Sequence, residues 1–430
     1  MKLIIKDICK IRSAEIELDG ITIIAGDNNT GKSTTGKVLF ALFNSLSSLS
    51  DKVYEERINE CYRILRSYSR YYNMRAPRSK ELYDAHAVAK QLVDNEKTVE
   101  EAVNELRIFR QSIVDSWTTD SNQKIVYSRL PEADWDLIIK HLEEILGISD
   151  EDYQSQLVMN SFNDVFNNQI QPLFKDAKNP IAKMIIKGKE LSVTFTPEKA
   201  CNICQLELHS KPYFFDNPAQ LEELGQNVYD FTSEQINNIS NSFTADAQPS
   251  ETILLRKKYE DIGAQLTTLL EGKLVYEDSE FRFASSNPNI TDRLKLKNLS
   301  QGVKSIAMLQ AAFSNGAIKD GDVLILDEPE IHLHPAWQVK YAEFIVLLQK
   351  AFHLTVLLTS HSPDFIEAIR LYSRAHNTDD KLKGYISVLQ DDGMVTFEKV
   401  DNWDKIFTKF ADSFRSLMKL RKELEAQKND

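Results

Sequence analysis

Positive charge is in short supply: 52 Lys and Arg stand against 64 Asp and Glu, a formal net charge of −12 over 430 residues. A chain that coats nucleic acid non-specifically needs clustered cations, so this balance argues against that role and leaves only a local basic face open. Cysteine is scarce too. The four present, Cys9, Cys61, Cys201 and Cys204, argue against disulfide scaffolding, and with no secretory apolar region after Met1 they lead us to expect a reducing, cytoplasmic compartment. No apolar run reaches membrane-spanning length, so no membrane role is expected. Internal repeats of about 20 to 50 residues and low-complexity tracts are missing as well, which removes solenoids and arrays.

What is there can fill a sizeable core: 42% of the residues are hydrophobic, enough for two domains or for one domain with a large insertion. KLIIKDI and AEIEL read as strands, a turn follows at Asp19-Gly20, and the apolar ITIIA, Ile21 to Ala25, reads as a buried strand running into a loop and a helix from about Ser33 to Phe43. From Ser50 to about Phe174 the period becomes that of polar, amphipathic helices, as in EERINECYRILRSYSRYY and EADWDLIIKHLEEILG. Between Ala182 and Asp216 it falls to two, in KMIIKGKELSVTFTP, CNICQLELH and PYFFD, which suggests a small antiparallel group. An Asn- and Ser-rich loop, a helix TILLRKKYEDIGAQLTTLLEG and further strands from Leu274 come next. The organisation expected is an α/β domain, a mixed sheet with helices, built from residues 1–49 and 175–430 and interrupted by a helical insertion lobe at residues 50–174.

Four segments carry chemistry. Gly26-Asp27-Asn28-Asn29-Thr30-Gly31-Lys32-Ser33, with Thr34 next, fits GxxxxGK[ST] at every fixed position and lies between a buried strand and a helix start, the context its mechanism requires. Loop amides and the positive end of the helix face phosphate, Lys32 reaches the β- and γ-phosphates, and the Ser33 hydroxyl can ligate Mg2+. Asn29 stands where a third glycine is common, and asparagine tolerates positive φ better than most residues.

The second segment, GDVLILDEPEIHLHP, is an apolar strand from Val323 to Leu326 that delivers Asp327 and Glu328 to its carboxyl end, where parallel sheets bind ligands. Asp327 suits Mg2+ held through water, and Glu328 suits the general base that polarises an attacking water. In the third, LTVLLTSHSP, a buried strand ends in Thr359-Ser360-His361, where a polar side chain can report the γ-phosphate; alone, such a histidine is a structural residue. In the fourth, NLSQGVKS, Ser300 and the Gly302 amide begin the helix VKSIAMLQAAF, which makes either a second anion site or a plain N-cap.

In this order the phosphate loop, LSQG, ILDEPE and TSHS resemble the motifs of ABC-type ATPases of the SMC, RecF and OLD (overcoming lysogenization defect) kind. DEPEIHLHPAWQ with TSHSPDFI after it looks especially like the OLD- and RecF-like branch of bacterial ATPases, many of which serve phage defence. The likeness covers residues 1–43 and 274–397, about two fifths of the chain. It implies an ABC-type nucleotide-binding domain, ATP and Mg2+ as cofactors, and a homodimer or larger homo-oligomer in which two nucleotides are clamped head to tail. Carried over by position, Gly26 to Ser33 bind phosphate and Mg2+, Ser300 and Gly302 act in trans, Asp327 and Glu328 serve metal and hydrolysis, and His361 is the switch. LSQG departs from the family's LSGG at Gln301, and Gln220 is the candidate for the family's Q-loop glutamine.

The function expected is an ATPase that controls a separately encoded effector or nuclease in bacterial antiviral defence. No nuclease domain is expected in the chain, because the segment after His361 is shorter than the Toprim domain of OLD nucleases. The alternative is a RecF- or SMC-like DNA-repair clamp, whose mark would be a continuous basic channel across the dimer. Two smaller features stand outside the resemblance. CNIC, Cys201 to Cys204, has the spacing of a zinc half-site with His209 nearby, but it lies among alternating strand residues, and two buried strand cysteines are the preferred reading. Within Cys61 to Lys80, a stretch without an acidic residue, stand Arg63, Arg66, Arg70, Arg75, Arg78 and Lys80, and the first three share a helical face. That face either meets DNA, RNA or an acidic partner, or is simply solvated.

Overall fold

The computed structural model describes residues 1–430 except 74–82, 119–133, 175, 177, 207, 209, 220, 222–263, 265, 278–279, 291, 315–317, 412–417 and 421–430. The chain forms two compact units, one of Met1–Ser47 with Val158–Asp430 and one of Ser48–Leu157. In chain order, β1 (Lys2–Ile8), β2 (Ile11–Glu17) and β3 (Ile21–Ala25) lead to helix α1 (Lys32–Leu46). β2 starts earlier than AEIEL suggests because Ile8 faces Ile11 across a tight hairpin and both side chains are fully buried.

Helices α2 (Leu49–Asn73), α3 (Ala85–Val93), α4 (Val99–Thr118) and α5 (Trp135–Gly147) make up most of the second unit. Its core comes from residues at helical spacing: Ile58, Cys61 and Leu65 of α2, Val88 and Leu92 of α3, Ala102 and Leu106 of α4, Ile138 and Leu142 of α5. The helix starts are specified locally. Asp84 accepts from the amides of His86 and Ala87 ahead of α3, Asp134 from that of Leu137 in α5, and Thr98 with Glu101 forms a capping box ahead of α4. Arg63 is exposed and 3.4 Å from Glu56, and the Arg66 guanidinium lies 5.4 Å from the Tyr62 ring centre. The side chain of Arg70, with Arg75, Arg78 and Lys80, lies outside the described residues. Helix α6 (Asp150–Phe166) contains the boundary at Leu157, ahead of the expected Phe174.

The rest of the first unit is β4 (Ile181–Ile186), β5 (Lys189–Phe195), β6 (Ala200–Cys204), β7 (Pro212–Phe215), β8 (Gly272–Glu277), β9 (Glu280–Ser285), β10 (Leu294–Lys295), α7 (Gln301–Ser314), β11 (Val323–Asp327), α8 (Pro335–Phe352), β12 (Thr355–Ser360), α9 (Pro363–Ala375), β13 (Leu382–Leu389), β14 (Val395–Lys399) and a short helix α10 at 404–411. β8, β9 and β10 form a small antiparallel sheet. The large sheet has eleven strands in the order β6-β5-β4-β1-β2-β14-β13-β3-β12-β11-β7. β6, β5, β4, β1 and β2 are antiparallel neighbours, whereas β13, β3, β12, β11 and β7 run parallel. The fold is therefore mixed α/β.

PYFFD is not part of the antiparallel group. β7 pairs parallel with β11 and all four of its residues are buried, as a strand covered on both faces requires. CNIC lies in the edge strand β6, but Cys201 is only half-buried and Cys204 is exposed, so the reading of two buried cysteines is corrected. Their thiols donate to the carbonyls of Thr194 and Glu190 in β5. α1 packs closely under the parallel strands: a Cβ on Gly36 would come within 3.0 Å of Ile325 and 3.3 Å of Phe214.

Candidate nucleotide site

Parallel register brings the chemistry to one level. Asp327 faces Thr359 between β11 and β12, and Ser360 faces Ala25 between β12 and β3, so three strands end beside the loop that leaves Ala25. Asn29 (φ 63°) and Gly31 (φ 73°) turn that loop into α1 through left-handed conformations, which is why Asn at the place of a third glycine is tolerated. Asp27, Asn28 and Asn29 are exposed, whereas Gly26, Thr30 and Lys32 are buried, with Gly31, Ser33 and Thr34 between. A Cβ at Gly26 would come 1.9 Å from Ser387 Oγ in β13, so only glycine fits where the loop leaves the sheet.

Lys32 Nζ donates to the Asp27 carbonyl at 2.8 Å and lies 3.4 Å from Glu328 Oε1. His361 Nδ1 is 3.4 Å from the same Glu328 oxygen, without the alignment of a hydrogen bond. Glu328 is itself in a left-handed turn (φ 48°), and its N–H donates to Thr359 Oγ1 at 3.0 Å and to the Thr359 carbonyl at 3.2 Å. The Thr359 hydroxyl in turn donates to Asp327 Oδ1. Thr359, quoted in the TSHS motif but given no role there, thus fixes both acidic residues at once.

Burial pushes the Asp327 carboxyl above its ordinary pKa, against the hydrogen bonds from Thr359 and Ser33 that favour its ionised form. A half-desolvated carboxylate hydrogen-bonded to a hydroxyl is a hard oxygen pair of the kind Mg2+ uses, since that ion binds through one or two protein oxygens and completes its shell with phosphate and water. Ser33 and Asp327 therefore fit Mg2+.

Glu330, the last residue of ILDEPE, is a second residue to which the motifs assigned no role. Only 1% of it is exposed, burial raises its pKa, and Oε1 accepts from Ser360 Oγ at 2.6 Å and, at a long 3.4 Å, from the His361 amide. Gln338 completes the clip: its Nε2 donates to the carbonyls of Glu330 and Leu333, and its Oε1 accepts from Ser362 Oγ.

Ser300 is exposed and caps α7, accepting from the Val303 amide at 3.3 Å. Gly302 is buried, and a Cβ there would meet the His332 carbonyl at 2.6 Å, so close packing alone demands glycine. Gln220 lies outside the described residues. The turn after β7 that is described, Asp216 to Pro218, lines a cavity of about 190 Å³ together with Ser305, Asp327, Glu328 and His332. Among the described residues no helix is long and apolar enough to cross a membrane.

A phosphate loop, an acidic strand end and a histidine strand end on neighbouring parallel strands define a nucleotide-binding site of the P-loop class. The family model for the AAA ATPase domain matches residues 1–366, and the chain belongs to that family. No curated protein matches. Among solved structures, similarity extends to an SMC head domain from Thermotoga maritima, with 12% identity and a TM-score of 0.37 over 93% of this chain and 98% of that one. An ATP-binding cassette of an ABC transporter in its ADP conformation has 12% identity and a TM-score of 0.33 over 96% of each chain.

Proposed function

We propose that this chain binds and hydrolyses ATP as an ABC-type ATPase whose copies dimerise head to tail through composite sites. One observation carries the reading: Glu328 Oε1 stands 3.4 Å from both Lys32 and His361, beside the Ser33 and Asp327 pair. Phosphate oxygens seated on the loop and on the α1 N-terminus compete with Glu328 for the Lys32 ammonium. Glu328, so released, accepts the proton of the water that attacks the γ-phosphorus, and His361 stays beside it to sense that phosphate. Ser33 and Asp327 would hold Mg2+, which would supply positive charge to offset that of the phosphates. Ser300, exposed at its helix start, is available to the nucleotide of a second copy.

Nucleotide binding and turnover by the purified chain test this reading. Lys32→Ala is expected to lose ATP binding, and Glu328→Gln to keep binding while turnover falls at least about a hundredfold, the scale of a lost general base. Equal loss of affinity in both variants would show that Glu328 is not the base. Control of a separately encoded effector or nuclease in antiviral defence rests on the motif resemblance alone. ATP-dependent copurification of a neighbouring gene product supports it, whereas nucleotide-dependent retention of DNA favours a repair clamp.

A further inference from the structure

The C-terminal hairpin and α10 lie beyond the residues matched by the family model, which end at 366, yet they touch the phosphate loop. Ser387 of β13 is fully buried, and its hydroxyl shares a 2.6 Å hydrogen bond with Thr30 Oγ1, whose hydroxyl also lies 2.6 Å from the Asp27 carbonyl. The same Ser387 packs against Gly26. From α10, Lys409 Nζ donates to the Ser387 carbonyl at 3.1 Å and stands 3.2 Å from Asp27 Oδ2. The Lys409 side chain is 27% exposed, while that of Asp27 is 69% exposed.

Asp27 is an anion in a loop whose task is to hold a polyphosphate. Repulsion between the two lowers affinity unless a fixed cation offsets it, and a cation anchored on a strand carbonyl does so without leaving for the ligand. We propose that Lys409 is a positioning residue of the phosphate loop: it neutralises the Asp27 carboxylate and ties the loop to β13, so that α10 sets nucleotide affinity from outside the family's matched residues. This rests on the reading of the loop as an ATP site.

A double-mutant cycle tests it on the full chain, with affinity for the non-hydrolysable analogue AMP-PNP and Mg2+ measured calorimetrically. Lys409→Met is expected to weaken binding about fivefold at low salt, the scale of a partly exposed ion pair, and by less as salt rises. In the Asp27→Asn background the same change is expected to cost less than about twofold, because the repulsion it would unmask is gone. Lys409→Arg should stay near wild type.

An affinity unchanged by Lys409→Met overturns the proposal, as does an equal loss in both backgrounds, since then Lys409 acts on the helix or the nucleotide and not through Asp27. Should Lys409→Met melt before the wild type does, Lys409→Gln is read in the same cycle. A wild-type chain that binds no AMP-PNP overturns this proposal and the ATP site together. Binding that Lys32→Ala abolishes and Lys409→Met leaves untouched overturns this proposal only.

Discussion

Glu330 comes two residues after the acidic pair and does a different job from it. Among the described residues its Oε2 has no hydrogen-bond partner, its Oε1 accepts from Ser360, and burial favours its neutral form. A glutamine keeps the acceptor and the shape, whereas alanine leaves the Ser360 hydroxyl and the His361 amide without their acceptor. Glu330→Ala is therefore expected to lower kcat about tenfold with nucleotide affinity nearly unchanged, and Glu330→Gln to stay within about threefold of wild type. Steady-state turnover beside equilibrium binding checks this. A fall in both quantities together, accompanied by a lower melting temperature, would mark Glu330 as merely structural.

At the scale of elements, Asp322 joins two strand starts. Its Oδ1 accepts from the Lys211 amide ahead of β7 and its Oδ2 from the Lys319 amide ahead of β11. Burial lifts its pKa from 3.8 to about 6 despite those two bonds. A carboxyl whose folded pKa is raised favours the folded state fully below its unfolded pKa, and that advantage is lost as pH climbs through about 6. Asparagine does not titrate, so the melting temperature of Asp322→Asn relative to wild type should rise between pH 4 and 7. About two pKa units correspond to a change of about 3 kcal/mol as an upper figure. A difference that is flat with pH would show that Asp322 is not desolvated.

This joint is not legible in the sequence, and the reason is general. The phosphate loop, the strand ending at Asp327 and the one ending in His361 can be read because a buried strand, its turn and the next helix are neighbours in the chain. PYFFD misleads because alternation and a four-residue buried run are hard to tell apart when the partner strand lies more than a hundred residues on, as |i−j| = 111 for Lys211 and Asp322 shows. Thr359 and Glu330 sit inside the quoted motifs, but their roles are not legible there, since their part is to accept from or donate to neighbouring motif residues. Lys409 cannot be found at all without the pairing of β13 with β3.

For the whole molecule, the proposed trans completion by Ser300 sets a stoichiometric expectation. Ser300→Arg and Lys32→Ala should each be inactive alone. Mixed in equal amounts with random exchange, half the dimers pair one of each, and each of those has one intact composite site, so about a quarter of wild-type turnover is expected. Normal hydrolysis by Ser300→Arg, or no recovery on mixing, would sink the composite site.

β2 and β3 are joined by a short turn, yet β14 and β13 lie between them in the sheet, and the Glu17 amide donates to Tyr385 Oη across 368 residues of sequence. A ribosome adding about 5 to 20 residues per second needs roughly 20 to 70 s after making β3 to supply its neighbour. Until then the strand that feeds the phosphate loop has an open edge and the loop lacks Ser387. A chain stopped at residue 378 should accordingly retain no AMP-PNP on a filter and should aggregate through that edge. On that expectation nucleotide capture would report that translation has run through β13, and an interrupted message would yield no half-made protein able to draw on ATP.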